Sequence, residues 1–167
     1  LHTVLHLRRC LTLQNLGLNV DEEVNIPLVL PDGKRAWLQR LGVSADAEIV
    51  AAIHQEPERL RDALRALQEE RATDDGLNAL VLAEGLQWRE VEVLRTLRNH
   101  LLQIRPTYNA DTLTTVLARN HRVAGALFRA FASKFDPALM GDRAEAMARS
   151  DDALRAVFRA VGSLFDD

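Results

Sequence analysis

The spacing of the apolar residues changes along this chain, and these changes constrain its fold more than any other feature. Between Leu18 and Leu30 apolar residues alternate with polar ones, which is typical of a strand with one buried face. Before residue 17 and after residue 43 they recur every three or four residues, which is typical of helices that bury one side. The sequence therefore predicts a mainly α fold with one small antiparallel sheet near its beginning.

The alternating segment predicts a half-buried strand and the first half of a β-hairpin. The residues expected on its buried face are Leu18, Val20, Val24, Ile26, Leu28 and Leu30. In the following turn, Pro31 suits the second position of a type I turn and Gly33 suits the left-handed position after it. A second strand through Trp37 and Leu41 is expected to pair antiparallel with the first. A helix over residues 1–16, ended by Gly17, precedes the hairpin.

From residue 44 onward the sequence predicts a bundle of about six helices. The expected helix caps are Ser44, Thr73, Asn109 and Ser150, and the expected breaks are Pro57, Gly85, Pro106 and Asp136-Pro137. The clearest apolar stripe consists of Ala124, Leu127, Phe128, Phe131 and Phe135. We therefore expect two parts, a helix and hairpin over residues 1–43 and a helical domain over residues 44–167.

Charge and composition exclude several classes of protein. A formal net charge of −3 argues against a dedicated nucleic-acid binder, because binding to phosphates needs a concentrated positive surface. Charged residues interrupt every apolar run before the ~18 residues that a membrane span needs, so no membrane partner is expected. Cys10 is the only cysteine, which fits a reducing compartment, and the cytoplasm is the expected location. The chain begins at Leu1 without a methionine, so we expect a piece excised from a longer polypeptide.

The glycines exclude the common nucleotide-binding loops. Dinucleotide and phosphate loops need closely spaced glycines so that the backbone can approach the phosphates. The eight glycines of this chain are nine or more residues apart. No cofactor site is therefore expected within these residues.

Several residues have reactive or metal-binding chemistry, and each has a simpler structural explanation. His2 and His6 have the spacing of a helical metal pair, but no third ligand is evident and the spacing can be incidental. Cys10 could be a nucleophile, but a thiol on an apolar helix is usually a packed side chain. Asp74 and Asp75 could share acid–base work or a metal, but after Thr73 they also suit the first turn of a helix.

A run of basic residues follows in the helical part. It consists of Arg89, Arg95, Arg98, His100 and Arg105 and is interspersed with Glu84, Glu90 and Glu92. The run could hold an anion, but a solvated or salt-bridged helix face is the simpler explanation. Residues 109–135 could form a helix-turn-helix with its bend at residues 119–121, but paired helices are common in α domains and the net charge is acidic. We therefore predict no catalytic, cofactor-binding or metal-binding residue in this chain.

Three stretches together resemble the large bacterial NAD-dependent glutamate dehydrogenases, in the region between their ACT-like segments and their catalytic domain. They are residues 14–20 (QNLGLNV) with Asp32, Gly33, Trp37 and Leu38 of the hairpin; residues 75–95 (DGLNALVLAEGLQWREVEVLR) with Gln103; and residues 108–137. The stretches cover about two thirds of the chain in the family's order. This sequence departs from the family pattern at Gln87, where a serine is usual, at Leu77, where an aromatic residue is usual, and around residues 99–102.

The resemblance implies a role within a larger enzyme. It implies that the parent chain oxidatively deaminates L-glutamate to 2-oxoglutarate and ammonia with NAD, and that its catalytic motifs lie downstream of these residues. This chain would then be an inactive regulatory or structural region, with a partial ACT-like unit over residues 1–43. Its expected partners are the remainder of the same polypeptide and, in a homo-oligomer, a second copy. The alternative is a free-standing helical protein–protein interaction module.

Overall fold

The computed structural model describes the backbone of residues 2–105 and 107–162, with side chains for residues 9–105 and 107–161. The elements are α1 (His2–Asn15), β1 (Asn19–Val29), β2 (Arg35–Ser44), α2 (Ala47–Gln55), α3 (Pro57–Gln68), a short 3-10 helix (Gly76–Ala79), α4 (Leu80–Ala83), α5 (Trp88–Ile104), α6 (Ala110–Arg119), α7 (His121–Phe135) and α8 (Arg143–Gly162). The predicted fold class is confirmed, because an N-terminal helix and a two-stranded antiparallel hairpin precede a set of helices.

The hairpin turn forms as its residues predict. Leu30 N–H donates to Lys34 O at 2.8 Å, Gly33 N–H donates to Leu30 O at 2.9 Å, and Gly33 has φ +80°. A backbone with this φ strains any residue that carries a Cβ, which explains why glycine follows Pro31 and Asp32 here. Gly17 has φ +85° and ends α1 for the same reason.

The prediction that all apolar residues of β1 share one face is wrong. Val20 pairs with Val43 but Glu22 pairs with Gly42, so β1 has one extra residue, Asp21, in a β-bulge. Because successive side chains point to opposite faces, one extra residue reverses the alternation. Val20 therefore lies on the opposite face from Val24.

The hairpin is also less buried than the alternation indicates. Ile26, Leu28 and Leu38 share one face, and their side chains are 40–52% exposed, so this face is not covered by the described residues. The other face meets α1, where the Arg9 guanidinium contacts the Gln39 amide.

The core lies between α1 and the helices from α2 to α7. Its buried members are Leu16, Leu18, Ala63, Leu77, Leu80, Val81, Leu82, Leu86, Val91, Leu94 and Ala124. Leu16 and Leu18 at the end of α1 thus belong to the same buried cluster as the helices after residue 44. The division between residues 43 and 44 stays a prediction.

Three of the four expected helix caps are wrong. Ser44 ends β2, and α2 begins after Asp46. Ser150 lies inside α8, whose first turn is capped instead by Asp142, whose carboxylate accepts from Ala144 N–H at 2.8 Å. Thr73 does not cap a helix either, as described below. Asn109 is confirmed as a cap, because its side chain accepts from Thr112 N–H at 2.7 Å.

The expected breaks succeed where the structure tests them. α3 begins at Pro57, where a missing N–H costs nothing, and α4 ends before Gly85, which has φ +73°. α7 ends at Phe135, directly before Asp136-Pro137. Pro106 lies outside the described residues. Among the described helices, none has the length together with the apolar character that a bilayer crossing requires.

Candidate functional site

The residues with metal-binding or nucleophilic chemistry are not gathered at one place. His2 and His6 lie on α1, and their side chains are outside the described residues. Cys10 is half-buried on the same helix. In the part of the chain that the structure describes, no three His, Cys, Asp or Glu side chains come together as metal ligands. The absence of a metal site stays a prediction.

Asp74 and Asp75 serve two different contacts rather than one site. Asp74 accepts from Asn15 Nδ2 at 2.8 Å, which ties the end of α1 to the segment before the 3-10 helix. Asp75 caps that 3-10 helix, since its carboxylate accepts from Leu77 N–H at 3.0 Å. The prediction that both carboxylates lie in a first turn capped by Thr73 is therefore wrong, because Asp75 is itself the cap.

Asp75 is also the centre of a partly buried set of polar contacts that we call the Arg95 cluster: Asp75, Asn78, Glu92, Arg95 and Arg98. The Arg95 guanidinium donates two hydrogen bonds to the Asp75 carboxylate, from Nε to Oδ2 at 3.0 Å and from Nη2 to Oδ1 at 2.8 Å. The same Nη2 donates to Asn78 Oδ1 at 2.9 Å, and Nη1 contacts the Glu92 carboxylate. Arg98 Nη1 donates to Asp75 Oδ2 at 2.9 Å. The cluster joins the 3-10 helix to α5.

Further hydrogen bonds extend the Arg95 cluster to neighbouring segments. Arg98 Nη1 donates to Thr114 Oγ1 at 2.6 Å, which brings in α6. Asn78 Nδ2 donates to Thr73 O at 3.1 Å, and Thr73 N–H donates to Glu92 Oε1 at 2.9 Å. The cluster therefore fixes the segment before the 3-10 helix relative to α5 and α6.

The contacts between Asp75 and Arg95 favour the charged form of each group. Burial, the largest effect, would raise the pKa of Asp75, but the hydrogen bond and charge of Arg95, with Arg98 and Leu77 N–H, together lower that pKa below its usual value. Burial would lower the pKa of Arg95, yet Asp75 and Glu92 raise it overall. A proton-transfer group needs a pKa near the working pH. The arrangement is therefore suited to holding the 3-10 helix against α5 rather than to acid–base chemistry.

The basic residues of α5 were expected either to hold an anion or to form a solvated or salt-bridged helix face. The salt-bridged one is confirmed for Arg95, which is 3% exposed, and for Arg98. The Arg89 guanidinium lies over the Trp88 ring at 4.3 Å from its centre, while His100 and Arg105 are exposed. One signal for the burial was present in the sequence, since Arg95 lies four residues after Val91 and so shares a side of the helix with that buried residue.

A second polar contact, which we call the Glu84 cluster, joins α4 to α7 through Glu84, His121 and Arg129. Glu84 Oε2 lies 3.2 Å from His121 Nδ1, and Arg129 Nη1 donates to Glu84 Oε1 at 3.0 Å. Gly125 provides the space, because a Cβ there would lie 2.1 Å from Glu84 Oε1. Nothing in the local sequence predicts these pairs, whose members are 37 and 45 residues apart.

The helix pair predicted over residues 109–135 is present as α6 and α7, which are joined at Asn120. α7 contributes the buried residues Val123, Ala124, Gly125 and Ala126, so much of it faces the protein interior. A recognition helix would instead present side chains to a DNA groove. The geometry therefore favours a structural helix pair over the DNA-binding alternative.

α7 and α8 lie side by side and leave an open groove of about 370 Å³ between them. Four of the ten residues that line the groove are alanines, and the Ser133 and Ser150 hydroxyls share a hydrogen bond of 2.8 Å at its side. Arg129 and Arg149 lie at the groove, but each already contacts a glutamate, Glu84 or Glu145. Both arginines of the groove are thus already paired with a carboxylate.

Comparisons with known proteins agree on one family. The family model described as "Glutamate dehydrogenase, helical motif 3" matches residues 72–137. The NAD-specific glutamate dehydrogenase of Pseudomonas aeruginosa is 31% identical over 123 residues, which are 74% of this chain and 8% of the relative. That of Mycobacterium tuberculosis is 28% identical over 91% of this chain and 10% of the relative, and that of Halomonas elongata is 27% identical over 75% and 8%.

The residues that match the family model are also those that form the two polar clusters. The chain spans a tenth or less of the length of these relatives. The 72–137 match includes every member of the Arg95 cluster and of the Glu84 cluster. The part of the chain that resembles a helical motif is therefore the part that these polar contacts hold together.

Proposed function

This chain belongs to the family of large NAD-specific glutamate dehydrogenases, and we propose that it acts there as a non-catalytic region that gives structure to the enzyme and takes part in its regulation. The whole enzyme would oxidatively deaminate L-glutamate to 2-oxoglutarate and ammonia, with NAD as the oxidant. NAD would bind outside residues 1–167. The lone Cys10 supports a cytoplasmic location.

The observation that carries the non-catalytic role is the burial and pairing of Arg95. Arg95 is 3% exposed and donates from all three guanidinium nitrogens to neighbouring side chains, so the guanidinium is not presented to a substrate. Asp75 is held as an anion and Arg95 as a cation, so neither is suited to move a proton near neutral pH. Groups fixed in this way stabilise a helical motif.

The test separates stability from catalysis in the full-length enzyme. Glu84→Gln and Asp75→Asn are expected to lower the melting temperature while kcat for glutamate-dependent NAD reduction, per folded enzyme, stays within about threefold. General acid–base groups contribute roughly 100-fold or more to rate. A loss of kcat of that size in a variant that melts like the parent would overturn the non-catalytic role.

Two further measurements address the inactive and regulatory parts of the proposal. Residues 1–167 alone, mixed with glutamate and NAD, are expected to produce no NADH, and turnover by this chain would contradict its assignment as non-catalytic. Calorimetric titration of the full-length enzyme with amino acids tests regulation. Heat of binding that changes in a hairpin variant such as Leu38→Ala would support it, and the absence of any heat would count against it.

A further inference from the structure

We propose that one exposed side of α5 binds an acidic amphipathic helix, and that this helix comes from the same polypeptide outside residues 1–167. The side carries four apolar residues that we call the α5 stripe: Val93, Leu97, Leu101 and Ile104. This inference rests on the proposed function, because it takes the chain as a region of a larger enzyme.

The α5 stripe is a continuous apolar row along the helix. Its members are four, four and three residues apart, and residues with these spacings are neighbours on one helix face. At 1.5 Å per residue the row extends over about 17 Å, or three turns. Leu97, Leu101 and Ile104 are 39%, 36% and 61% exposed. The described residues therefore leave most of this row in contact with water.

The part of the chain around the α5 stripe is positively charged, although the whole chain is not. Residues 93–135 contain seven Lys or Arg and a single Asp, a formal charge of +6, whereas the whole chain has a formal charge of −3. Three of the seven cations form ion pairs with described residues: Arg95, Arg98 and Arg129. The positive charge that remains favours an acidic partner.

Two basic side chains lie directly beside the α5 stripe. His100 is three residues after Leu97, and Arg105 is four residues after Leu101, so each is a neighbour of the stripe on the helix surface. Both side chains are exposed. The chain has no Asp or Glu within residues 93–110. A partner that carries acidic residues beside apolar ones therefore matches both parts of this surface.

The form of the surface favours a helix over a bilayer or a nucleic acid. Helices pack by fitting rows of side chains on one helix into grooves on another, and an apolar row with helical spacing supports such packing. Leu97 and Leu101 keep less than two fifths of their surface exposed, so neighbouring atoms partly screen them from a flat bilayer. The phosphates of a nucleic acid would pair with arginines but would leave the apolar row in water.

The same polypeptide is the favoured source of the partner helix. The chain spans only 8–10% of the length of its relatives, so most of such an enzyme lies outside residues 1–167. A covalent link raises the effective concentration of a segment above that of a second copy or a separate protein. The whole α5 stripe also lies within residues 72–137, which match the helical motif of the family.

The main experiment places the photoreactive residue benzoylphenylalanine in place of Leu101 in the full-length enzyme. After irradiation, mass spectrometry identifies the peptide that is joined to this position. We expect a peptide from outside residues 1–167, with apolar residues at helical spacing and more Asp and Glu than Lys and Arg. A peptide from within residues 1–167, from another protein or without an excess of acidic residues would overturn the proposal.

Ile104 provides a second position for the same probe. It is the most exposed member of the α5 stripe, so a larger side chain there needs no space inside the protein. The probe at Ile104 is expected to join the same peptide as the probe at Leu101. No cross-link from either position, in enzyme that melts like the parent, would show that nothing covers the stripe and would overturn the proposal.

Gln103 provides the matched control on the same helix. It is exposed, but it lies two residues after Leu101 and therefore on another side of α5. The probe at Gln103 is expected to give at least about tenfold less of the cross-linked peptide, because it faces away from the stripe. Equal yields from Leu101 and Gln103 would contradict a docking surface confined to the stripe.

Arg105→Glu tests the charge of the partner, in enzyme that carries the probe at Leu101. We expect it to lower the yield of the cross-linked peptide by at least about fivefold, because like charges then face each other. Arg61→Glu, which makes the same change at an exposed arginine of α3, is the control and is expected to leave the yield unchanged. Equal yields in these two variants would contradict an acidic partner.

Two further measurements separate the alternatives. The full-length enzyme is expected not to sediment with vesicles of phosphatidylserine and phosphatidylcholine. Sedimentation that is lost in Leu101→Glu would identify a bilayer as the occupant and would overturn the proposal. NAD reduction with glutamate tests the proposed function separately, so the activity and the cross-linking pattern can fail independently.

Discussion

The helical domain buries and pairs a charged side chain, whereas the hairpin leaves apolar side chains exposed. In the helical domain Arg95 is 3% exposed, and every nitrogen of its guanidinium donates to a neighbouring side chain. In the hairpin the apolar Leu38 is 52% exposed, although it lies in a well-formed strand. The Arg95 cluster thus pairs its buried charges within the helical domain, whereas the described residues leave one apolar face of the hairpin exposed.

This difference separates two sources of stability. Buried apolar residues such as Leu77 and Val91 stabilise the helical domain directly, and the polar clusters fix how its helices are arranged. A buried charge that loses its partner destabilises a protein strongly, so such clusters disfavour alternative packings. The hairpin, in contrast, holds its register mainly through its turn and its ladder.

The largest expected effect comes from equal truncations in the two regions. Leu80→Ala, in the fully buried core, is expected to lower the free energy of unfolding by about 3 kcal/mol, because it leaves a cavity. Leu38→Ala, on the exposed hairpin face, is expected to lower it by less than about 1 kcal/mol. Urea denaturation of residues 1–167 measures both values. Equal losses would show that the hairpin face is buried by the chain itself.

The second largest effect tests the Arg95 cluster. Arg95→Leu leaves Asn78 Oδ1 without its donor and Asp75 with fewer partners, and a loss of about 3 kcal/mol is expected on urea denaturation. The control is Arg61→Leu, which removes an exposed pair with Glu58 and should cost no more than about 0.5 kcal/mol. If Arg95→Met, of similar length, is as stable as the parent, the cluster contributes no net stability and the comparison with the hairpin fails.

A smaller effect, with an unusual sign, tests the Glu84 cluster. Replacing glycine by alanine inside a helix usually stabilises it by up to about 1 kcal/mol. Gly125→Ala is expected instead to destabilise the chain by about 1 kcal/mol, since the new Cβ displaces Glu84 from His121 and Arg129. In a Glu84→Ala background the same change should be neutral or stabilising. A stabilising Gly125→Ala in the parent chain would refute the packing described here.

Local elements were predictable because their causes lie within a few residues. Pro31 and Gly33 define the turn between the strands, and Pro57 defines the start of α3, through backbone angles that these residues prefer. The prediction of Ser150 as the cap of α8 is wrong because Asp142, which is also of a residue type that caps helices, lies directly before the helix. The bulge at Asp21 was not predicted, although Glu22 interrupts the alternation there by standing at a position expected to be apolar.

The polar clusters were not predictable because they depend on tertiary contacts. Asp75 and Arg95 are 20 residues apart and Glu84 and Arg129 are 45 apart. Arginine and glutamate are also common on solvated helix faces, so their presence alone does not indicate pairing. The spacing of Arg95 from Val91 indicates which side of α5 Arg95 occupies. The pairing of Arg95 with Asp75 depends on how the 3-10 helix packs against α5, which the local sequence does not indicate.

The smallest effect is a pH dependence of stability that Asp75 gives to the Arg95 cluster. Burial would raise the pKa of Asp75 in the folded chain, but the hydrogen bond and charge of Arg95, with further hydrogen bonds, lower that pKa below 3.8 overall. When the pH falls below about 4, the unfolded chain binds a proton at Asp75 before the folded chain does, so stability falls. The stability that Asp75 contributes is fully present above the pKa that Asp75 has in the unfolded chain. It is lost as the pH falls through the lower pKa that Asp75 has in the folded chain. Urea midpoints between pH 6 and pH 3 should therefore decline less steeply in Asp75→Asn than in the parent, and also in Arg95→Leu, where the cation is absent. Parallel declines in all three chains would show that Asp75 does not couple folding to pH.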